Sequence, residues 1–218
     1  MKISTVVSTL LLGAMVAFSG CGSDEDEMVN PETTYSYSVK VTNTTAGQPM
    51  SPVLVSSASL FSIGEVATLG LEKLAEGGDN SVLLDDNGVS GVGLLAPGAS
   101  ETMSLTVKSQ KLNIATMLVK TNDGFAGVDS LDISALGVGE SQTSYMSVYD
   151  AGTEANSETN TTVAAFGIEG FSATRDDVNI VTLHSGIISK DDGLVTSALT
   201  ALEKFNNPAA VVTVTRTK

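Results

Sequence analysis

The sequence predicts a mainly β protein, an antiparallel β-sandwich with one or two short helices. Several short segments alternate apolar and polar residues, which is the pattern of strands with one buried face. Clusters of Gly, Asn, Asp and Pro separate these segments, as expected for the turns of a sandwich. The chain has a single cysteine, so no internal disulfide can form and its stability must come from core packing.

The first twenty residues are predicted to be a secretory signal peptide, because Met1 and Lys2 precede the apolar run "ISTVVSTLLLGAMVAF". The run ends in "FSGC", which resembles a bacterial lipobox and would make Cys21 the lipidated N-terminus. An ordinary signal peptide with a chance cysteine is the alternative, but an A-x-A-like site is absent. We therefore expect an exported outer-membrane lipoprotein that faces the periplasm or the cell surface.

Residues 21–34 are acidic, lack periodicity and include a proline, which predicts a flexible tether. The remaining residues, 35–218, are expected to form one β-sandwich domain. Four segments in it have strand patterns. "YSYSVKVTN" at 35–43, "TMSLTVK" at 102–108 and "AVVTVTRTK" at 210–218 alternate, whereas "IATMLV" at 114–119 is continuously apolar and predicts a strand buried on both faces.

Two segments have helical patterns instead. "GEVATLGLEKLAEGG" at 64–78 places five apolar residues on one helical face and ends in two glycines, a common C-terminal signal; these apolar residues are Val66, Ala67, Leu71, Leu74 and Ala75. "LVTSALTALEKF" at 194–205 is the second candidate, and Pro208 marks the return to strand.

Charge and motifs exclude several classes of function. The chain has 11 basic and 25 acidic residues, and removing Lys2 with the signal peptide leaves 10 against 25, which argues against nucleic acid or an anionic membrane surface as partner. There is no G-x-S-x-G, Walker A or dinucleotide motif. His184 is the only histidine, and we expect it to be a hydrogen-bonded residue at a strand end within "TLHSG". We therefore expect no enzyme, with a carboxylate-based glycan hydrolase as the alternative.

Two acidic, glycine-containing loops are the candidate site. "TNDGFAGVDSLD" at 121–132 and "YDAGTEANSE" at 149–158 both supply carboxylate and amide oxygens, the ligands that Ca²⁺ prefers. If the loops lie at the same end of the sandwich, Asp123 and Asp150 meet, and a bound cation removes the cost of their like charges. Asp129, past the glycine turn, is the weakest candidate. Asn-Asp-Gly is also a strong turn signal, so solvated turns are the alternative.

Seven further segments are informative in their order and spacing: "VTNTTAGQPMSPVLV", "FSIGEVATLGLEKLAEGGDNS", "LLAPGAS", "MLVKTNDGFAGVDSLDI", "YDAGTEANSE", "TLHSGI" and "NNPAAVVTVTR". Together they resemble bacterial spondin domains, relatives of the N-terminal domain of F-spondin and mindin, over Tyr35 to Arg216. The resemblance implies a C2-like sandwich, calcium binding and adhesion at the cell surface. It implies Asp123 and Asp150 as calcium ligands, with Glu154 as a weaker candidate.

This sequence also departs from that family. The tryptophans and cysteines of the animal domain are missing, so its disulfides and receptor contacts cannot be carried over. Ala46 stands where many bacterial relatives have histidine, so a metal or partner role of that histidine cannot be carried over either. Calcium, which needs oxygen ligands, is less affected by these losses than zinc. We therefore expect a lipid-anchored binding or adhesion module with a structural calcium site and an unidentified glycan or protein partner. A purely structural envelope lipoprotein remains an alternative.

Overall fold

A computed structural model describes residues 33–167 and 170–218 of the chain. The predicted signal peptide 1–20, Cys21 and all but the last two residues of the tether lie outside these ranges. The described part is mainly antiparallel β, which confirms the predicted fold class. Its strands are β1 Tyr35–Asn43, β2 Leu54–Ser56, β3 Val89–Ser90, β4 Ser100–Val107, β5 Lys111–Met117, β6 Gly124–Asp132, β7 Ser141–Asp150, β8 Thr182–Leu183 and β9 Ala210–Arg216.

The strands pair in the order β3-β2-β5-β6-β7-β9-β1-β4, with β8 on β7, and each pairing is antiparallel. The long strand β7 belongs to both halves of this sheet. Its residues 141–146 pair with β9, whereas residues 147–150 pair with β6. Side chains from both halves share one core cluster, so the sheet folds over at β7 into the two layers of a sandwich.

The strand patterns explain which residues form that core. Tyr37, Val39 and Val41 of β1 are at most 1% exposed, and the residues between them point outward. Strand β5 is buried over six of its seven residues, as its continuous apolar sequence predicted. Ile114 belongs to the cluster between the layers, and Ala115 belongs to a second cluster on the outer side of the same layer.

The second cluster lies beneath the helix α1, Leu69–Gly77. Leu71 and Leu74 of α1 pack there with three aromatic rings from the sheet and the preceding loop. The Phe61 ring lies 5.0 Å from the ring of Phe125 and 4.9 Å from the ring of Tyr149, between centroids. This helix therefore covers the layer that contains β5, β6 and the end of β7. No helix in the described ranges is both long and apolar enough to cross a membrane.

The ends of α1 follow from its capping residues. The Thr68 hydroxyl accepts a hydrogen bond from the Leu71 N–H at 3.2 Å, and Gly78 closes the helix with a positive φ of 69°. The predicted C-terminal end was correct. The predicted start was too early, because Thr68 caps the helix and leaves Val66 outside it and 54% exposed.

The second predicted helix, at 194–205, was wrong. Only a 3₁₀ turn, Ala201–Glu203, forms there. The backbone in this segment bonds to distant partners instead: the Ala198 N–H donates to the Glu158 carbonyl at 2.7 Å, and the Lys190 N–H donates to the Leu199 carbonyl at 3.0 Å. These tertiary hydrogen bonds replace the helical ones.

A glycine in β6 tests the packing beneath α1. A Cβ at Gly127 would lie 2.7 Å from the Phe61 ring, which its aromatic neighbours hold in place. We expect Gly127→Ala to lower the free energy of unfolding by about 1–3 kcal/mol, as overpacking does. Gly93→Ala is the control, since its Cβ would meet no atom within 4 Å. Equal unfolding free energies of the two variants in urea would contradict this contact.

Candidate functional site

Antiparallel pairing of β6 with β7 places the two acidic loops side by side. Asp123 directly precedes β6, and Asp150 is the last residue of β7. Gly124 lies opposite Asp150 in the register, and the Ala151 N–H donates to the Asp123 carbonyl at 3.2 Å. The start of one strand and the end of the other therefore form one end of the sandwich, and both carboxylates lie there.

The Asp123 side chain bridges the two loops. It is fully buried, and its Oδ2 accepts hydrogen bonds from the Thr153 N–H at 2.7 Å, the Thr153 hydroxyl at 3.2 Å and the Glu154 N–H at 3.1 Å. Its Oδ1 has no hydrogen-bond partner among the described residues. A buried carboxylate oxygen without a partner costs free energy, so this atom is open to a ligand or a proton.

The pKa of Asp123 also reflects its burial and its incomplete hydrogen bonding. Burial, and then the negative charge of Asp150, raise the pKa of the Asp123 carboxyl to about 7. The hydrogen bonds from Glu154 and Thr153 lower the pKa and offset only part of this increase. The ionised form of Asp123 is therefore unfavourable in the protein without a bound cation.

Asp150 is also buried, with 6% of its surface exposed. Its Oδ1 accepts from the Gly152 N–H at 2.8 Å, and its Oδ2 accepts from the Asn156 side-chain amide at 2.6 Å. Gly152 has a φ of 70°, and a Cβ there would lie 2.5 Å from the Ile180 carbonyl oxygen, so the turn requires glycine. Each Asp150 oxygen holds one hydrogen bond and keeps capacity for another interaction.

The other two candidate ligands differ in position. Glu154 is buried beside Asp123, to which its backbone donates, and its side chain lines a neighbouring pocket. Asp129 is exposed on β6, where its Oδ1 accepts from the Ser130 hydroxyl at 3.2 Å. At about 3.3 Å per residue along a strand, Asp129 lies about 20 Å from Asp123. Asp129 therefore lies apart from the Asp123 and Asp150 carboxylates.

Glu76 of α1 is a buried carboxylate that the sequence patterns missed. It is 1% exposed, its Oε2 accepts from the Ser172 N–H at 2.8 Å, and its Oε1 has no hydrogen-bond partner in the described part of the chain. Burial raises its pKa, while the hydrogen bond from the Ser172 N–H and the nearby Thr153 hydroxyl lower it. Thr153 thus lies between Glu76 and Asp123. The sequence could have indicated that Glu76 is buried, since it adjoins the apolar helical face defined by Leu74 and Ala75.

His184 follows β8 at the same end of the sandwich. Its Nδ1 accepts from the Gly186 N–H at 2.9 Å, as expected for a hydrogen-bonded residue at a strand end. Burial lowers the pKa of the imidazole, against the opposing charges of Asp150 and Glu158. Since Nδ1 is an acceptor, the neutral ring carries its proton on Nε2, which has no hydrogen-bond partner within 33–167 and 170–218.

Side chains alone do not complete a metal centre here. In the described residues, no three or more His, Cys, Asp or Glu side chains are grouped so that they could hold a metal ion. Asp123 and Asp150 form a pair of carboxylates, and a calcium ion bound by them would need its other ligands from amide or backbone oxygens and water.

Comparison with known proteins assigns no family to this chain. No model of a protein family matches the sequence, and no curated protein matches it significantly. The resemblance to spondin domains therefore stays a prediction, carried by the motifs quoted above.

The raised pKa of Asp123 predicts how stability depends on pH in the protein freed of metal by EDTA. Because the folded-state pKa of about 7 exceeds the ordinary value of 3.8, the folded state binds more protons between these values. The contribution of Asp123 to the free energy of unfolding therefore falls as pH rises from 4 to 7 and is constant at higher pH. The fall is about 1.4 kcal/mol for each unit by which the folded-state pKa exceeds the ordinary value.

Asp123→Asn removes this titration and leaves the other groups in place. The unfolding free energy is measured in urea with EDTA at pH 5 and at pH 8. We expect the value at pH 5 to exceed the value at pH 8 by more in the native protein than in the variant. The same pH dependence in both proteins would show that Asp123 does not titrate near neutrality.

Proposed function

We propose that this protein is an exported, lipid-anchored binding or adhesion module in which calcium fixes two loops at one end of the sandwich. Asp123 and Asp150 supply the ion's carboxylate ligands. The observation that carries the proposal is the Oδ1 atom of the fully buried Asp123, which lacks a hydrogen-bond partner among the described residues and lies near a second buried carboxylate.

A cation accounts for both features of this site. It would be the missing partner of the Asp123 Oδ1, and it would neutralise the two carboxylates, which repel each other. Arg175, whose charge acts on Glu76, donates from its Nε and Nη2 to the two Glu72 oxygens at 2.9 Å and 2.7 Å. No basic group of the described residues lowers the pKa of Asp123, so the charge of the Asp123 and Asp150 pair is left for a ligand.

The donor atoms favour calcium over a transition metal. The pair offers carboxylate oxygens, and the surrounding loop offers backbone carbonyls, whereas the Asn156 amide faces Asp150 with its nitrogen. Calcium takes about six to eight such oxygens in flexible geometry. His184, the only histidine of the chain, accepts a hydrogen bond on Nδ1 and has a pKa lowered by burial, and the chain has too few soft ligands for a tetrahedral zinc site.

The proposed role of the ion is structural. Asp123 already holds the backbone of Thr153 and Glu154, and a cation shared with Asp150 would lock the two loops together. Loops fixed on a rigid sandwich are suitable binding surfaces. The spondin resemblance supports an adhesive role, and the predicted lipid on Cys21 would keep the domain at the membrane.

Burial supports binding over the two alternatives at this site. A glycan hydrolase needs two carboxylates that the substrate can reach, about 5–10 Å apart. Asp123 and Asp150 are 0% and 6% exposed, which leaves no room for a sugar between them. Solvated turns, the alternative expected for a purely structural envelope protein, would leave both carboxylates in water.

Calcium titration of the chelated mature protein tests the proposal. We expect heat of binding by calorimetry and, at about 100 times the dissociation constant, about 2.7 kcal/mol of added stability. For a domain of this size, that corresponds to a rise of about 5–10 °C in the midpoint of thermal unfolding. Asp123→Asn combined with Asp150→Asn should abolish both signals.

Asp129→Asn is the matched control, because it removes one carboxylate at an exposed position of β6, the strand that Asp123 directly precedes. It should keep the calcium signals of the native protein. Absence of heat and of a thermal shift in the native protein would rule out the calcium site. Loss of the signals in the Asp129 variant as well would show that overall charge, rather than the pair, attracts the ion.

A further inference from the structure

Strand β4 lies at one end of the strand order and has a neighbour on one side only in the described part of the chain. It pairs with β1 over all of its 8 residues, without a bulge. The strand at the opposite end of the order, β3, has only 2 residues. An unpaired edge presents a row of backbone N–H and C=O groups to which another strand can bind. The free edge of β4 is therefore a candidate for strand pairing.

Alternation along the sheet decides which residues of β4 face this edge. β1 lies between β4 and β9, so its residues bond to the two neighbours in turn. The Ser36 carbonyl accepts from the Thr217 N–H at 2.8 Å on the β9 side, and the Asn43 N–H donates to the Ala99 carbonyl at 3.0 Å on the β4 side. Even-numbered residues of β4 lie opposite even-numbered residues of β1, so their N–H and C=O groups point to the free edge. In the middle of the strand these residues are Thr102, Ser104 and Thr106.

β4 lacks the features by which edge strands usually avoid pairing, which are proline, lysine, bulges and short length. Its sequence "SETMSLTV" contains neither proline nor lysine, and Glu101, near its start, is its only charged residue. The Glu101 carboxylate accepts from the Val92 N–H at 2.9 Å. From Thr102 to Thr106 the edge is uncharged, so nothing in it repels a second strand.

Exposed apolar side chains lie beside the start of β4. Val92 is 99% exposed and Leu94 is 67% exposed. Together with Glu101 they line a hollow of about 290 Å³. Covering such side chains with a partner removes apolar surface from water, which is favourable. The edge therefore offers a partner both backbone hydrogen bonds and apolar surface.

We propose that this protein forms a dimer in which the β4 strands of two copies pair antiparallel about a two-fold axis at Ser104. In this register the two Ser104 residues face each other, and Thr102 of each copy faces Thr106 of the other. The N–H and C=O groups at all three positions are then bonded, and the two sheets become continuous. This proposal goes beyond the calcium-dependent binding function and does not rest on it.

The side chains of the strand favour a second copy as the partner. The outer face of this layer already pairs hydroxyls across its strands: Ser36 contacts Thr106 at 2.9 Å. Ser141 contacts Thr215 in the same way at 2.7 Å. The dimer would continue these pairs with hydroxyls opposite hydroxyls. Antiparallel pairing also places the two Glu101 residues at opposite ends of the interface, so like charges do not meet. A two-fold contact uses both free edges and leaves none for a third copy.

The predicted tether is compatible with this dimer. It enters the domain at Tyr35, which lies opposite Val107 of β4. Val107 of one copy would face Glu101 of the other, so the two entry points are about 20 Å apart along the strands. Residues 21–34 span up to about 45–50 Å when extended, so two lipids can reach one membrane. Anchoring would raise the local concentration of the copies. The tether itself is a poor strand for this edge, because it is acidic and contains Pro31.

Sedimentation velocity of the mature protein, made without its lipid, tests the proposal. A reducing buffer prevents Cys21 from linking two copies. We expect a monomer–dimer equilibrium with a dissociation constant of about 1–100 μM, as for a small interface. A monomer at all concentrations up to about 1 mM would overturn the proposal.

Amide hydrogen exchange, followed by NMR below and above the dissociation constant, locates the contact. We expect exchange at Thr102, Ser104 and Thr106 to slow several-fold at the higher concentration. Met103 and Leu105 are the internal control, because their amides bond to β1 and should be protected at both concentrations. Protection of the three edge amides that does not depend on concentration would overturn the proposal, since another segment of the same chain would then cover β4.

Ser104→Lys places two positive charges opposite each other on the axis and should weaken the dimer at least about tenfold. Lysine is common on natural edge strands, so the fold should be retained. Thr143→Lys is the matched control, because it adds the same charge at an exposed position of β7 in the same layer. It should not weaken the dimer, since the chain has a net charge of −14 and an added lysine lowers the overall repulsion. Equal weakening in both variants would contradict pairing through β4.

This proposal and the calcium site fail separately. The dissociation constant of the dimer should be the same in EDTA and in calcium, because the proposed ion ligands lie outside β4. A dimer without a calcium response would refute the cation site alone. A calcium response in a protein that stays monomeric would refute the dimer alone.

Discussion

The carboxylate of Asp123 joins the two loops on which the candidate site depends. One oxygen receives three hydrogen bonds from Thr153 and Glu154, across the junction of β6 and β7. These bonds set the path of the chain directly after β7, next to Asp150. Register produces this arrangement: antiparallel pairing makes the residue before one strand the neighbour of the residue after the other.

A bound cation would stabilise this junction of the two loops, which is unfavourable in free energy without an ion. Without an ion, the second oxygen of Asp123 lacks a partner among the described residues, and Asp150 adds like charge nearby. Proteins keep such buried, poorly paired carboxylates mainly where a ligand or a proton completes them.

Local patterns predicted the fold well where tertiary contacts agree with them. Alternation located β1, and the run at 114–119 located the doubly buried β5. The segment 194–205 has a helical pattern, but its backbone bonds to distant residues, which no local pattern reveals. The proximity of Asp123 and Asp150 was predictable, because Asp123 directly precedes one strand and Asp150 ends the next. Asp129 is near Asp123 in sequence but lies far from it along β6. Glu76 was missed because it comes from another element, the helix α1.

Glu158 provides an internal comparison that separates a structural carboxylate from a ligand site. Like Asp123 it is buried, at 5% exposure, and it anchors a distant loop. Its Oε1 accepts from the Ile188 N–H at 2.7 Å, and its Oε2 accepts from the Ser189 N–H at 2.9 Å and the Ser197 hydroxyl at 2.7 Å. Both oxygens are therefore satisfied by protein donors. Asp123 has the same anchoring role with one oxygen left open, and this difference, rather than acidity or burial, is the reason to assign the cation to Asp123.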